Sequence, residues 1–135
     1  MTALPATAIL GRYSGSGTIR ACCESEFTMT ANPYILVLCT CPSLSEADAV
    51  ATALIEERLA ACVNRLPGVK SMYRWEGKVT HDDEILLLIK TSADLFERLE
   101  KTIKKLHPYE TPEIVAIPIS AGSAEYLRWI GESTA

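Results

Sequence analysis

One cysteine, Cys39, and one histidine, His107, are the side chains in this sequence best suited to hold a soft or borderline metal ion. Cys39 sits between Leu38 and Thr40 inside an apolar run, and its sulfur, as thiolate, suits copper or zinc. Cysteine is also among the residues most often fully buried, so packing is the competing reading. Cys41 falls on the same face two residues on if the strand persists, although Pro42 is expected to bend the chain there. His107 precedes Pro108 and follows Lys101, Lys104 and Lys105. Imidazole at that point is either a ligand or a helix-ending group that favours the negative end of the helix dipole. Glu110 and Glu113, in the loop that follows, offer oxygen donors or simply stay solvated. His81 stands beside Asp82, Asp83 and Glu84 and reads as an exposed acidic hairpin end.

Other side chains point to contacts rather than to metal. Tyr73, Trp75, Tyr109 and Trp129 are expected to anchor contacts between subunits or to line a cleft between them. Arg74, Lys78 and Lys90 are the basic groups that would receive an anion in such a cleft. No glycine-rich phosphate loop is present in the sequence. An enzyme built on Cys39 as nucleophile and His107 as base needs a third orienting group and an oxyanion site. Neither is legible, and the chain is expected not to be an enzyme.

The elements that must carry these groups follow from periodicity. Tyr34–Thr40 is a continuous apolar run, the pattern of a strand covered on both faces. Ser43 and Glu46 form an S-x-x-E capping box, opening a helix expected to reach about Ala61. Its apolar stripe takes in Ala47, Val50, Ala51, Leu54, Ile55, Ala61 and Cys62, with Arg58 near the C-terminal end. Pro67–Gly68 signals a turn. Alternation from Val69 to Trp75, a reversal at Glu76-Gly77-Lys78 and the run Ile85–Thr91 predict a long hairpin. Thr91 and Asp94 are expected to cap a second helix carrying Leu95, Phe96, Leu99, Ile103 and Leu106. Ile114–Ile119 is a fourth strand and Ser123–Ile130 a short last helix. The order is βαββαβ with a trailing helix, an α+β ferredoxin-like sandwich. The Ile85–Ile89 stretch is apolar on both faces. As a long greasy edge it would be an aggregation hazard unless a closed symmetric oligomer covered it.

Bulk properties set the outer bounds. The chain has 135 residues, 48% apolar and 22% charged, an ordinary balance for one packed domain. Residues 1–31, with three glycines and no period, are expected to be a flexible N-terminal extension, leaving 32–135 as the domain. The net charge of −4 argues against nucleic acid or an anionic membrane as partner, and no apolar run approaches membrane-spanning length. Five cysteines without a paired framework, and no basic stretch ahead of Ala3–Leu10, predict a reduced, cytoplasmic protein.

Six separated segments are recognisable: VLCTCP (37–42), ERLAACVN (57–64), MYRWEGK (72–78), LLIKT (87–91), HPYETPE (107–113) and YLRWI (126–130). In this order and register, from about Tyr34 to Ile130, the sequence resembles the CutA family of divalent-ion tolerance proteins. The resemblance implies a homotrimer of ferredoxin-like subunits, similar in architecture to PII signalling proteins, that binds divalent metal ions, Cu(II) among them, in metal-ion homeostasis. It implies Cys39 and His107 as copper-associated positions; Glu110, read from the loop itself, is the further oxygen donor expected beside them. Some relatives carry a second histidine just before HPY, and Leu106 stands there in this chain. The alternative reading is a PII-like regulatory trimer that holds a small anionic ligand at its subunit clefts.

Overall fold

The computed structural model describes residues 32–135; the expected N-terminal extension, with Cys22 and Cys23, lies outside the described residues. Seven main elements follow in order: β1 (Tyr34–Cys41), α1 (Leu44–Glu56), β2 (Cys62–Trp75), β3 (Lys78–Ser92), α2 (Phe96–Leu106), β4 (Ile114–Pro118) and α3 (Ala124–Ser133). The strands form one sheet of order β2-β3-β1-β4, every pair antiparallel. The protein is therefore α+β. The expected greasy edge is corrected by this order. Ile85–Ile89 lies in β3, between β2 and β1, and the edges are β2 and β4.

Strand β1 shows why the two faces of the sheet differ. Ile35, Val37, Cys39 and Cys41 are buried, while Leu36, Leu38 and Thr40 between them are only half-buried. The buried set joins Leu87 and Ile89 of β3, Val50 and Leu54 of α1, and Leu99 and Ile103 of α2 in one core. The run is apolar throughout, yet α1 and α2 cover one face only. On the other face, α3 reaches the Tyr34 end, where the Tyr34 hydroxyl lies so close to Gly131 that any Cβ there would clash. Further along that face Leu66, Val115 and Ile117 stay exposed.

Several local signals resolve differently once the chain is packed. Helix α1 ends at Glu56, not near Ala61, because Arg58 takes a left-handed conformation (φ 57°) and the Leu59 and Ala60 amides both turn back to the Leu54 carbonyl. That is a helix-ending reversal, and it frees Cys62 from the helix to open β2. Arg58 does not lie along the apolar stripe; its guanidinium donates to the Glu132 carbonyl at 3.0 Å. Pro67–Gly68 is a bulge inside β2 rather than a turn, marked by the register shift between Leu66 and Val69. The hairpin reverses at Glu76–Gly77, both at positive φ, the two-residue turn that suits strand twist.

Thr91 does not cap α2. It continues the buried alternation of β3, and its hydroxyl donates to the Leu59 carbonyl at 2.6 Å. The helix starts at Phe96, after a single 3-10 turn at Ala93–Leu95 whose preceding Ser92 makes no side-chain cap. Thr91→Val keeps the shape but removes the donor from a buried carbonyl. An unfolding free energy lower by about 1–3 kcal/mol is expected, measured by urea titration with an unchanged m-value.

Candidate metal centre

β1 runs through Cys41 before Pro42 ends it, so Cys39 and Cys41 share the helix-covered face and both are fully buried. Cys39 stands opposite Leu87 and Ile114 and Cys41 opposite Ile85. His107 closes α2, its amide donating to the Ile103 carbonyl at 2.8 Å, and is 7% exposed. This brings one ligand atom from each of Cys39, Cys41 and His107 within 4.8 Å of one another.

The imidazole is held from both sides. Its Nε2 lies 2.7 Å from the Thr40 carbonyl, which can only accept, so Nε2 carries the proton. Nδ1 accepts from the Tyr109 amide at 3.1 Å. The ring is thus a neutral tautomer fixed by backbone, with its one lone pair aimed at an amide that a ligand would displace. Interaction with the neighbouring Cys41 thiol, with burial, pushes the Cys39 thiol far up, and the same interaction lowers Cys41 against its own burial.

Glu46 is the residue that sequence reasoning absorbed into another role. Its amide donates to the Ser43 hydroxyl at 3.5 Å, which is one arm of the expected capping box. Its carboxylate does not supply the other arm: Oε2 is buried with no hydrogen-bond partner, and the charge bears on Cys41. The C-x-C spacing was the available signal for Cys41. Nothing local marked Glu46 as more than a cap.

The remaining expected residues lie elsewhere. Glu110 is exposed and lines an open groove of about 830 Å³ with Ser71, Tyr73, Trp75, Glu84 and Tyr109. The groove is acidic: Ser71 donates to Glu84 at 2.6 Å, and the Tyr73 hydroxyl donates to Asp82, which pushes Tyr73 up to about 12. Among the described residues no lysine or arginine lines it. Lys90 bonds Asn64 and approaches the Cys62 sulfur at 3.6 Å, and Arg74 turns to the Gly77 carbonyl at 3.4 Å. The basic groups expected around an anion are therefore dispersed. Trp129 is exposed on α3 beside Tyr126, ring centroids 5.5 Å apart. His81 is exposed on β3, opposite Met72.

Comparison with known proteins matches residues 35–133 to the family described as CutA1 divalent ion tolerance protein. The chain belongs to the CutA1 family. It is 54% identical over 99 residues to the divalent-cation tolerance protein CutA of Thermus thermophilus, covering 73% of this chain and 96% of that protein. The chloroplastic protein CutA 1 of Oryza sativa subsp. japonica is 42% identical over 127 residues, 93% of this chain and 72% of that one. The solved Thermus thermophilus divalent cation tolerance protein superposes with a TM-score of 0.74 at 53% identity, over 76% of this chain and 99% of that chain.

For a CutA1 chain the test is whether the grouped residues suit a divalent ion. Two sulfurs and an imidazole are soft to borderline donors, and Glu46, whose Oε2 is buried without a hydrogen-bond partner, lies in the first turn of the helix that follows Cys41. The donor set fits copper or zinc, with the Tyr109 amide bond as the interaction given up. No described helix is long and apolar enough to cross a membrane.

Proposed function

We propose that this chain is a metal-binding, non-enzymatic CutA1 protein in which Cys39, Cys41 and His107 hold a soft or borderline divalent ion, copper among them, for metal-ion homeostasis. The single observation that carries this reading is the buried cluster itself, two sulfurs and an imidazole nitrogen within 4.8 Å. The subunit is read as ferredoxin-like on the strand order β2-β3-β1-β4, and as one third of a homotrimer on the uncovered apolar face of that sheet. Cys39, Cys41 and Cys62 are unbridged, which supports a reducing, cytoplasmic setting. The acidic lining of the groove weighs against a small anion as its ligand. The buried Cys39 and Cys41 must lose their protons to bind a metal ion, so uptake releases protons.

Equilibrium dialysis of the reduced protein against Cu(II) and Zn(II) tests the proposal. One ion per chain is expected for the native protein, with Cys39→Ser and His107→Ala each losing it at the same free-metal level. Unchanged occupancy in both variants would remove these residues from the account.

A further inference from the structure

We infer that Glu46 is a fourth donor, completing a buried site of two thiolates, one imidazole and one carboxylate that selects a zinc-like dication over a cuprous ion. The inference rests on the metal-binding reading above and deepens it.

Three observations converge on this carboxylate. Glu46 Oε2 is buried and has no hydrogen-bond partner, a state that costs free energy unless something compensates it. The Ser43 hydroxyl takes only the Glu46 amide, so helix capping does not occupy the carboxylate. Chain geometry keeps it close: Cys41 ends β1, Pro42 and Ser43 intervene, and Glu46 lies in the first turn of α1. Glu46 lies outside the set of atoms grouped within 4.8 Å, so its side chain, a stem with three rotatable bonds, is required to turn toward the ion on binding.

Charge and coordination preference give the selectivity. Two thiolates and one carboxylate carry three negative charges around a neutral imidazole. A dication leaves one of them uncompensated and a cuprous ion leaves two, in a site where Cys39 and Cys41 have no solvent exposure. Buried net charge is expensive, so the dication is favoured. Zinc also prefers four tetrahedral N, O and S ligands, whereas carboxylate oxygen is a poor partner for the softer cuprous ion.

Co(II), a spectroscopic stand-in for zinc, tests this on the full chain under a non-thiol reductant. The native protein is expected to show sulfur-to-cobalt charge transfer together with the strong visible bands of four-coordinate cobalt. Glu46→Ala should keep the charge transfer but shift and weaken the visible bands. It should bind Zn(II) about 100-fold more weakly, with Cu(I) affinity, measured against a chromophoric chelator, unchanged. Glu46→Gln, which preserves side-chain volume and whose fold is checked by circular dichroism without metal, should show the same pattern. Superimposable cobalt spectra and equal zinc affinities for native and Glu46 variants overturn the inference and leave the thiol site standing. Absence of charge transfer in the native protein overturns the thiol site, and the role of Glu46 with it.

Discussion

Lysine at both Val115 and Ile117 is expected to convert the proposed homotrimer into a folded monomer. Both residues are in the edge strand β4, opposite Leu38 and Leu36 of β1, on the sheet face that α1 and α2 leave bare. They are 49% and 43% exposed in the single chain. Leu66, on the other edge strand, adds to the same face at 49%. A sheet with apolar side chains along open edges invites pairing with another copy, and a closed ring of copies is the arrangement that ends it. Full burial of one aliphatic side chain stabilises by about 1.5–3 kcal/mol, so the half still exposed on each residue is worth about 1 kcal/mol. Burying two lysine charges in their place adds several kcal/mol more. At about 1.4 kcal/mol per factor of ten, the subunit dissociation constant should rise at least 100-fold.

Sedimentation velocity at micromolar concentration reads this directly, as a change from three times the 14.8 kDa chain mass to one. The fold should survive, because Val37, Leu87, Leu99 and Ile103 pack on the opposite face. Leu44→Lys, on an exposed position of α1, is the control and should leave the assembly intact. A native protein that is monomeric at that concentration sinks the trimer, as does a double variant that sediments with the native one.

What was legible in the sequence follows how local each determinant is. The order of strands and helices came through because each depends on a period carried within its own segment, as in the Val69–Trp75 alternation and the Leu99–Ile103 spacing. Errors fell where distant contacts overrode a local signal. The pattern from Thr91 to Asp94 is a good cap in isolation. Yet Thr91 also extends the inward set of Leu87 and Ile89, and a hydrogen bond to Leu59, 32 residues earlier, settles its role. Pro67–Gly68 has the composition of a turn. It becomes a bulge because β2 goes on pairing with β3 on both sides of it, which only the partner strand can dictate. At the candidate site, Cys39 and His107 were legible as residue types and as a family resemblance. Cys41 is obscured in the sequence by Pro42, which suggests a bend before its side chain is in place. Glu46 was invisible, since a capping glutamate and a partnerless buried one look alike until the helix is packed.

A large effect at that site is expected from Cys41, as from Cys39, and its contrast with Glu110 separates the cluster from the loop. Structural zinc sites with four ligands bind with about 10–16 kcal/mol, so one donor is worth roughly 3 kcal/mol. Removing a thiolate is therefore expected to weaken Zn(II) binding about 100-fold or more. Cys41→Ser should show that loss in a competition titration against a zinc chelator. Cys41→Ala should match it, which excludes an effect of the buried hydroxyl alone, and thermal melts without metal identify any variant that has not folded. Glu110→Gln should stay within about twofold of native, because an exposed carboxylate in the groove gains little from an ion held by buried sulfur. The reverse pattern, a large loss for Glu110→Gln with Cys41→Ser near native, would place the ion in the acidic groove among Asp82, Glu84 and Glu113. That outcome implies a hard, oxygen-bound cation, and the buried thiols would then be core residues that happen to carry sulfur. The two arrangements lie close to one another, joined through the backbone of Thr40, whose carbonyl holds His107 while the residue itself lines the groove. Substitution, rather than proximity, is what tells them apart.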